Sequence, residues 1–137
     1  MPRSDDRGRP RGIVVRDAHF PERAPIDAYG NGGFRFAAMS HRGSILCVPS
    51  GIYGWGPAAT GDFTLAAFER VVAEAAEIEL LLAGTGVSLV PLAAEVADAL
   101  RAVGIRFEVM ATGAAVRTYN VLLAENRRVA AALLAVD

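Results

Sequence analysis

The sequence contains no lysine: all 14 of its basic residues are arginine. Set against 15 carboxylates they leave a formal net charge of −1, which excludes the strongly basic surface that nucleic-acid or anionic-membrane binding rests on. The arginines are scattered, so they form no concentrated phosphate fork. Cysteine is reduced to Cys47, which excludes an internal disulfide, and no Cys/His spacing approaches a zinc motif. Within the run Ile45-Leu46-Cys47-Val48 it reads as a buried strand thiol. His19 and His41 stand isolated, with no nucleophile or carboxylate at a catalytic spacing. No apolar run nears the ~20 residues of a membrane-spanning helix. The polar N-terminus lacks the apolar segment of a secretory signal. The location these absences predict is the cytoplasm, or at most the periphery of a membrane.

What is present is a large apolar fraction, 53% of 137 residues. That is enough for a core without disulfide or metal staples, at a length that suits one domain of about 100–150 residues. Residues 1–12 are rich in Arg, Asp, Gly and Pro without apolar pattern and read as a disordered tail. Residues 13–137 read as one α/β domain.

The first half of that domain reads as strands. Ile13-Val14-Val15 is short and β-branched, Asn31-Gly32-Gly33 is a turn signal, and Phe34 to Met39 begins with alternation. His41-Arg42-Gly43 reads as the turn of a hairpin into Gly43–Val48, which stops at Pro49. The second half alternates helix and strand. Leu65, Phe68, Val72 and Ala75 or Ala76 share one face of a helix over 64–76. An apolar strand follows over 77–82 and stops at Gly84. Pro91 opens a helix with Leu92, Val96, Leu100 and Val103 inward and Gly104 as its C′ residue. A strand over 105–110 leads to a helix capped by Thr112 and running to about Glu125, where Asn126 takes the left-handed position. Period alone leaves residues 129–136 open between helix and strand. The order is a β-hairpin region followed by αβαβαβ, with parallel pairing across the helical crossovers.

Three places invite function. Gly84-Thr85-Gly86 lies at the carboxyl end of a strand, where open α/β sheets bind ligands and free N–H groups can hold an anion. It is neither GxGxxG nor a P-loop, and a tight turn explains it as well. Thr112 begins the equivalent junction after the next strand. Arg117 and Asn120 follow on its helix, so an anionic ligand between the two loops is one reading, against a plain cap and a solvated arginine. Tyr119 falls on the apolar stripe of that helix and reads as core with its hydroxyl bonded. Tyr53-Gly54-Trp55-Gly56 reads as a Gly-rich loop carrying the single Trp, either offered to a partner or folded back over the core.

The stretch from Phe34 onward resembles the domain of mitochondrial NADH dehydrogenase (complex I) assembly factor 3 and of small bacterial and archaeal proteins of unknown function. Gly54-Trp55-Gly56, Leu81 to Gly86 and the run Glu108 to Arg127 carry the resemblance. It implies a three-layer α/β fold with a small mixed, mostly parallel sheet, and a final strand over 129–136 that is antiparallel. It implies no reaction and no cofactor, and a scaffold role in assembling an inner-membrane complex. Ala111 replaces an Asp usual in the family, which removes a carboxylate from the third junction; Asn126 replaces a Gly. The expected function is therefore protein interaction or assembly through Tyr53 and Trp55. The alternative is a small anionic ligand at Gly84, Thr85, Gly86, Thr112, Arg117 and Asn120. No metal site and no nucleic-acid partner are expected.

Overall fold

The computed structural model describes residues 19–137. The tail expected over 1–12 and the strand expected at 13–15 lie outside the described residues. A five-stranded mixed sheet forms the middle layer. Its strands are β4 (Ser44–Val48), β5 (Gly51–Trp55), β6 (Leu80–Gly84), β7 (Arg106–Met110) and β8 (Val129–Leu133), in the order β5-β4-β8-β6-β7. A second sheet has three antiparallel strands, β1 (Ala28–Gly30), β2 (Gly33–Phe36) and β3 (Met39–Arg42). The helices are α1 (Glu69–Ala73), α2 (Ala94–Ala102) and α3 (Thr112–Ala124).

Residues 129–133 are thus a strand, and the most central one. β8 runs antiparallel to β4 but parallel to β6, and β6 runs parallel to β7. All five residues of β8 and of β6 are buried, which is why both strands read as unbroken apolar runs rather than as alternation. Side chains then divide between the two faces. Cys47, Leu82, Ala131 and Leu133 meet α3 and the small sheet through Val116, Tyr119, Phe34 and Phe36. Leu46, Leu81, Ala130 and Ala132 meet Trp55, Phe63, Phe68, Val96 and Leu100 on the other face.

Both long helices end as their sequences require. Gly104 (φ +82°) and Asn126 (φ +60°) sit at C′. Ile105 N–H reaches Leu100 carbonyl at 3.0 Å and Arg127 N–H reaches Leu122 carbonyl at 3.0 Å, which closes a Schellman motif at each end.

Four expectations are corrected. The turn after Phe36 falls at Ala37-Ala38 (φ +50° and +63°), so Met39–Arg42 is a strand and His41 is not in a turn. β2 pairs with β3, and β4 pairs instead with β5. The helix expected over 64–76 is broken into short 3-10 turns around α1, and Leu65 is exposed. Trp55 Nε1 donates to the Ala67 carbonyl at 2.7 Å, drawing on an acceptor that a continuous helix would use itself. α2 begins at Ala94, beyond Pro91, and Val103 is exposed rather than inward.

Candidate functional site

The parallel strands β6, β7 and β8 bring their carboxyl ends together, and two threonines meet there. Thr112 is fully buried, and it is the first residue of α3 rather than the cap, a position held by Ala111. Its hydroxyl donates to the Leu134 carbonyl at 2.8 Å and accepts from Gly86 N–H at 3.0 Å. Thr112 N–H in turn donates to the Gly86 carbonyl at 2.8 Å, and Leu134 N–H to the Gly84 carbonyl at 2.9 Å. Thr85, 5% exposed, organises the following loop in the same manner. Its hydroxyl donates to the Ser88 carbonyl at 2.6 Å and accepts from Val90 N–H at 2.9 Å, while its own N–H donates to the Met110 carbonyl at 2.9 Å.

This arrangement is a clamp, and it corrects the expectation of free donors around an anion. The N–H groups of Thr85, Gly86 and Thr112 are all engaged within the chain. Gly84 serves packing: a Cβ there would stand 2.9 Å from Leu133 Cδ2 and 3.1 Å from Thr112 Cα. At the start of α3 the Tyr29 hydroxyl occupies the space a Gly113 Cβ would need. Asn120 does not join the loops. It binds Ile26 instead, accepting from its N–H at 2.8 Å and donating to its carbonyl at 2.9 Å, and so fastens the segment before β1 to α3. Arg117 is exposed on α3.

Tyr119 is core, as its helical stripe predicts, with no exposure. Its hydroxyl lacks a hydrogen-bond partner among the described residues, contrary to expectation, and the Cys47 thiol lies near it. Burial pushes that thiol up to about 12, so Cys47 is inert at neutral pH, as a buried strand cysteine should be.

The Tyr53–Trp55 segment is the edge strand β5 rather than a loop. Trp55 is 9% exposed, with its ring 5.1 Å from Phe63 and 5.4 Å from Phe68. Of the two readings open to it, the structure has the ring folded onto the core. Tyr53 is half-buried under the Arg70 guanidinium, 3.8 Å above its ring, and its hydroxyl lies 2.6 Å from Ser50 Oγ.

Two features escaped sequence reasoning. Just beyond the clamp, Val87, Leu89 and Val90 are exposed by 86%, 57% and 37%. Three aliphatics within four residues on a strand-end loop were the available signal. His19 and His41, isolated in sequence, face each other across 3.4 Å. No signal in the sequence joined them, because the contact depends on the backbone bridge between Phe20 and Ile52.

Comparison with known proteins gives a consistent result. A family described as a protein of unknown function (DUF498/DUF598) matches residues 26–134. An uncharacterised protein of Rhodobacter capsulatus is 42% identical over 122 residues, 89% of this chain and 93% of its own. The mouse NADH dehydrogenase (ubiquinone) 1 alpha subcomplex assembly factor 3 is 29% identical over 133 residues, 97% of this chain and 72% of its own. A crystal structure described as an outer membrane protein from Bartonella henselae superposes with a TM-score of 0.85 at 59% identity, covering 87% of this chain and 100% of that one.

Proposed function

The chain belongs to the DUF498/DUF598 family, and on that premise we propose that it is an assembly factor that holds a partner protein on its Val87–Val90 loop. The observation that carries this reading is the exposure of Val87, Leu89 and Val90 on a loop whose base is fixed by Thr85 and Thr112. Exposed aliphatics on a rigid base bind an apolar partner surface without a large cost of ordering. The mouse relative's name supplies the kind of partner: a subunit of NADH dehydrogenase before its assembly is complete. This reading places the protein at the periphery of the inner membrane. No helix among the described residues is long and apolar enough to cross a membrane.

The test is affinity capture from the protein's own cells, comparing the native chain with a Val87→Ser, Leu89→Ser, Val90→Ser triple variant. Surface substitutions of this kind change stability by no more than about 0.5 kcal/mol each. The expected result is NADH dehydrogenase subunits captured by the native chain and lost from a folded triple variant. Equal recovery by both proteins rejects the loop, and absence of such subunits from both rejects the assembly reading.

A further inference from the structure

Among the described residues, His19 and His41 form a further side-chain cluster. The backbone holds each of them. His19 N–H donates to the Ile52 carbonyl at 2.7 Å, and the adjacent Phe20 bridges Ile52 of β5. His41 lies on β3, two residues before the Gly43 corner (φ +96°) through which the chain passes into β4. Its ring rests on β5, so close that a Cβ at Gly54 would stand 3.0 Å from His41 Cε1. β5 therefore sets both imidazoles.

The rings meet edge to face, with planes 81° apart and centroids at 4.7 Å, and His41 Nδ1 lies 3.4 Å from His19 Nε2. That is long for an N–H hydrogen bond, which favours ~2.7–3.2 Å. It equals the separation of two nitrogens bound to one tetrahedral zinc ion, about 3.4 Å when each Zn–N bond is ~2.0–2.1 Å.

The pair opens on a cavity of about 670 Å³, also lined by Arg42, Tyr53, Glu69 and Arg70. Arg70 is occupied there by the Tyr53 ring and by Glu74 at 3.9 Å. Among the described residues no third metal-ligating side chain joins the two histidines. We propose that His41 Nδ1 and His19 Nε2 chelate one divalent transition-metal ion of the zinc class, with its remaining positions open to solvent or an anionic ligand in the cavity. This inference stands apart from the Val87–Val90 reading, since it uses β3 and β5 rather than the loop that follows β6.

The experiment is zinc competition between the full-length chain, free of any histidine tag, and a chromophoric chelator. The copper(II) resonance spectrum of the same proteins is recorded alongside. One ion per chain is expected, with nitrogen coupling in the copper spectrum. His19→Ala and His41→Gln should each weaken zinc by at least about tenfold, the loss that even an outer-shell partner causes. His41→Gln keeps a side chain over Gly54, and circular dichroism of both variants establishes that they fold. Should His41→Gln fail to fold, His19→Ala decides alone, because His19 lies outside the regular strands. Binding only at millimolar zinc, binding of several ions indifferent to both variants, or loss in one variant alone would overturn the chelate.

Discussion

Two segments on different strands of the sheet, Tyr53–Trp55 in β5 and Val87–Val90 after β6, exchange the roles their compositions suggest. The first holds the single Trp between glycines, the kind of sequence that marks a binding loop. It is a strand, and its indole lies between Phe63 and Phe68 with its N–H satisfied by Ala67. The second is a plain aliphatic stretch, yet it projects into solvent from a base of saturated polar groups. The difference is mechanical. A large aromatic is stabilised by burial whenever its polar atom finds a partner. Aliphatics stay exposed only where the backbone around them is fixed by something other than their own packing. Thr85 and Thr112 provide that fixation.

The sharpest way to break the comparison is to remove each anchor. Trp55→Ala deletes a core ring and should cost about 3–5 kcal/mol, seen as a lower denaturant midpoint at unchanged slope. A cost below about 1 kcal/mol would return Trp55 to the surface and reopen its partner role. Thr112→Val keeps the shape but leaves the part-buried Gly86 N–H and the buried Leu134 carbonyl without their partner. At roughly 1–3 kcal/mol for each such group the expected loss is about 2–6 kcal/mol, with most of it recovered in Thr112→Ser. Were Thr112→Val tolerated, the Val87–Val90 loop would lack its rigid base, and the partner surface would lose its physical argument.

The parts of the fold legible in sequence are those in which local pattern and tertiary need agree. β6 and β7, α3 with its Asn126 terminus, and the Asn31-Gly32 turn (φ +52° and +80°) stand close to where the residues place them. The Ala37-Ala38 turn was illegible because both residues hold left-handed backbone without the glycine or asparagine that announces it. Register imposed it: β3 lies opposite β2, and Phe34 and Phe36 must stay on the core face. The broken helix around α1 was illegible because its interruption comes from a distant indole. At the strand ends, the residue types point to Thr85 and Thr112 as candidate ligand contacts. Their partners, Ser88, Val90 and Leu134, are backbone groups whose convergence only the fold reveals. The histidine pair was hidden for the same reason.

The smallest effect tests the agreement between sequence and geometry at the end of α3. Asn126 holds φ +60° while its N–H and that of Arg127 close the Schellman motif on Leu123 and Leu122. Asparagine tolerates this conformation but still carries a Cβ against the following carbonyl, a strain that glycine lacks. Glycine in turn loses more backbone freedom on folding, which offsets part of the relief. The balance for Asn126→Gly should be a gain of roughly 0.5 kcal/mol, measured as a rise in the denaturant midpoint. The side chain of Asn126 also lines a shallow cavity beside Arg23, Asn120 and Arg127. A loss of stability in Asn126→Gly would mean that the amide group makes a contact there worth more than the strain. The residue would then be held for that surface rather than as a substitute for glycine at a helix end.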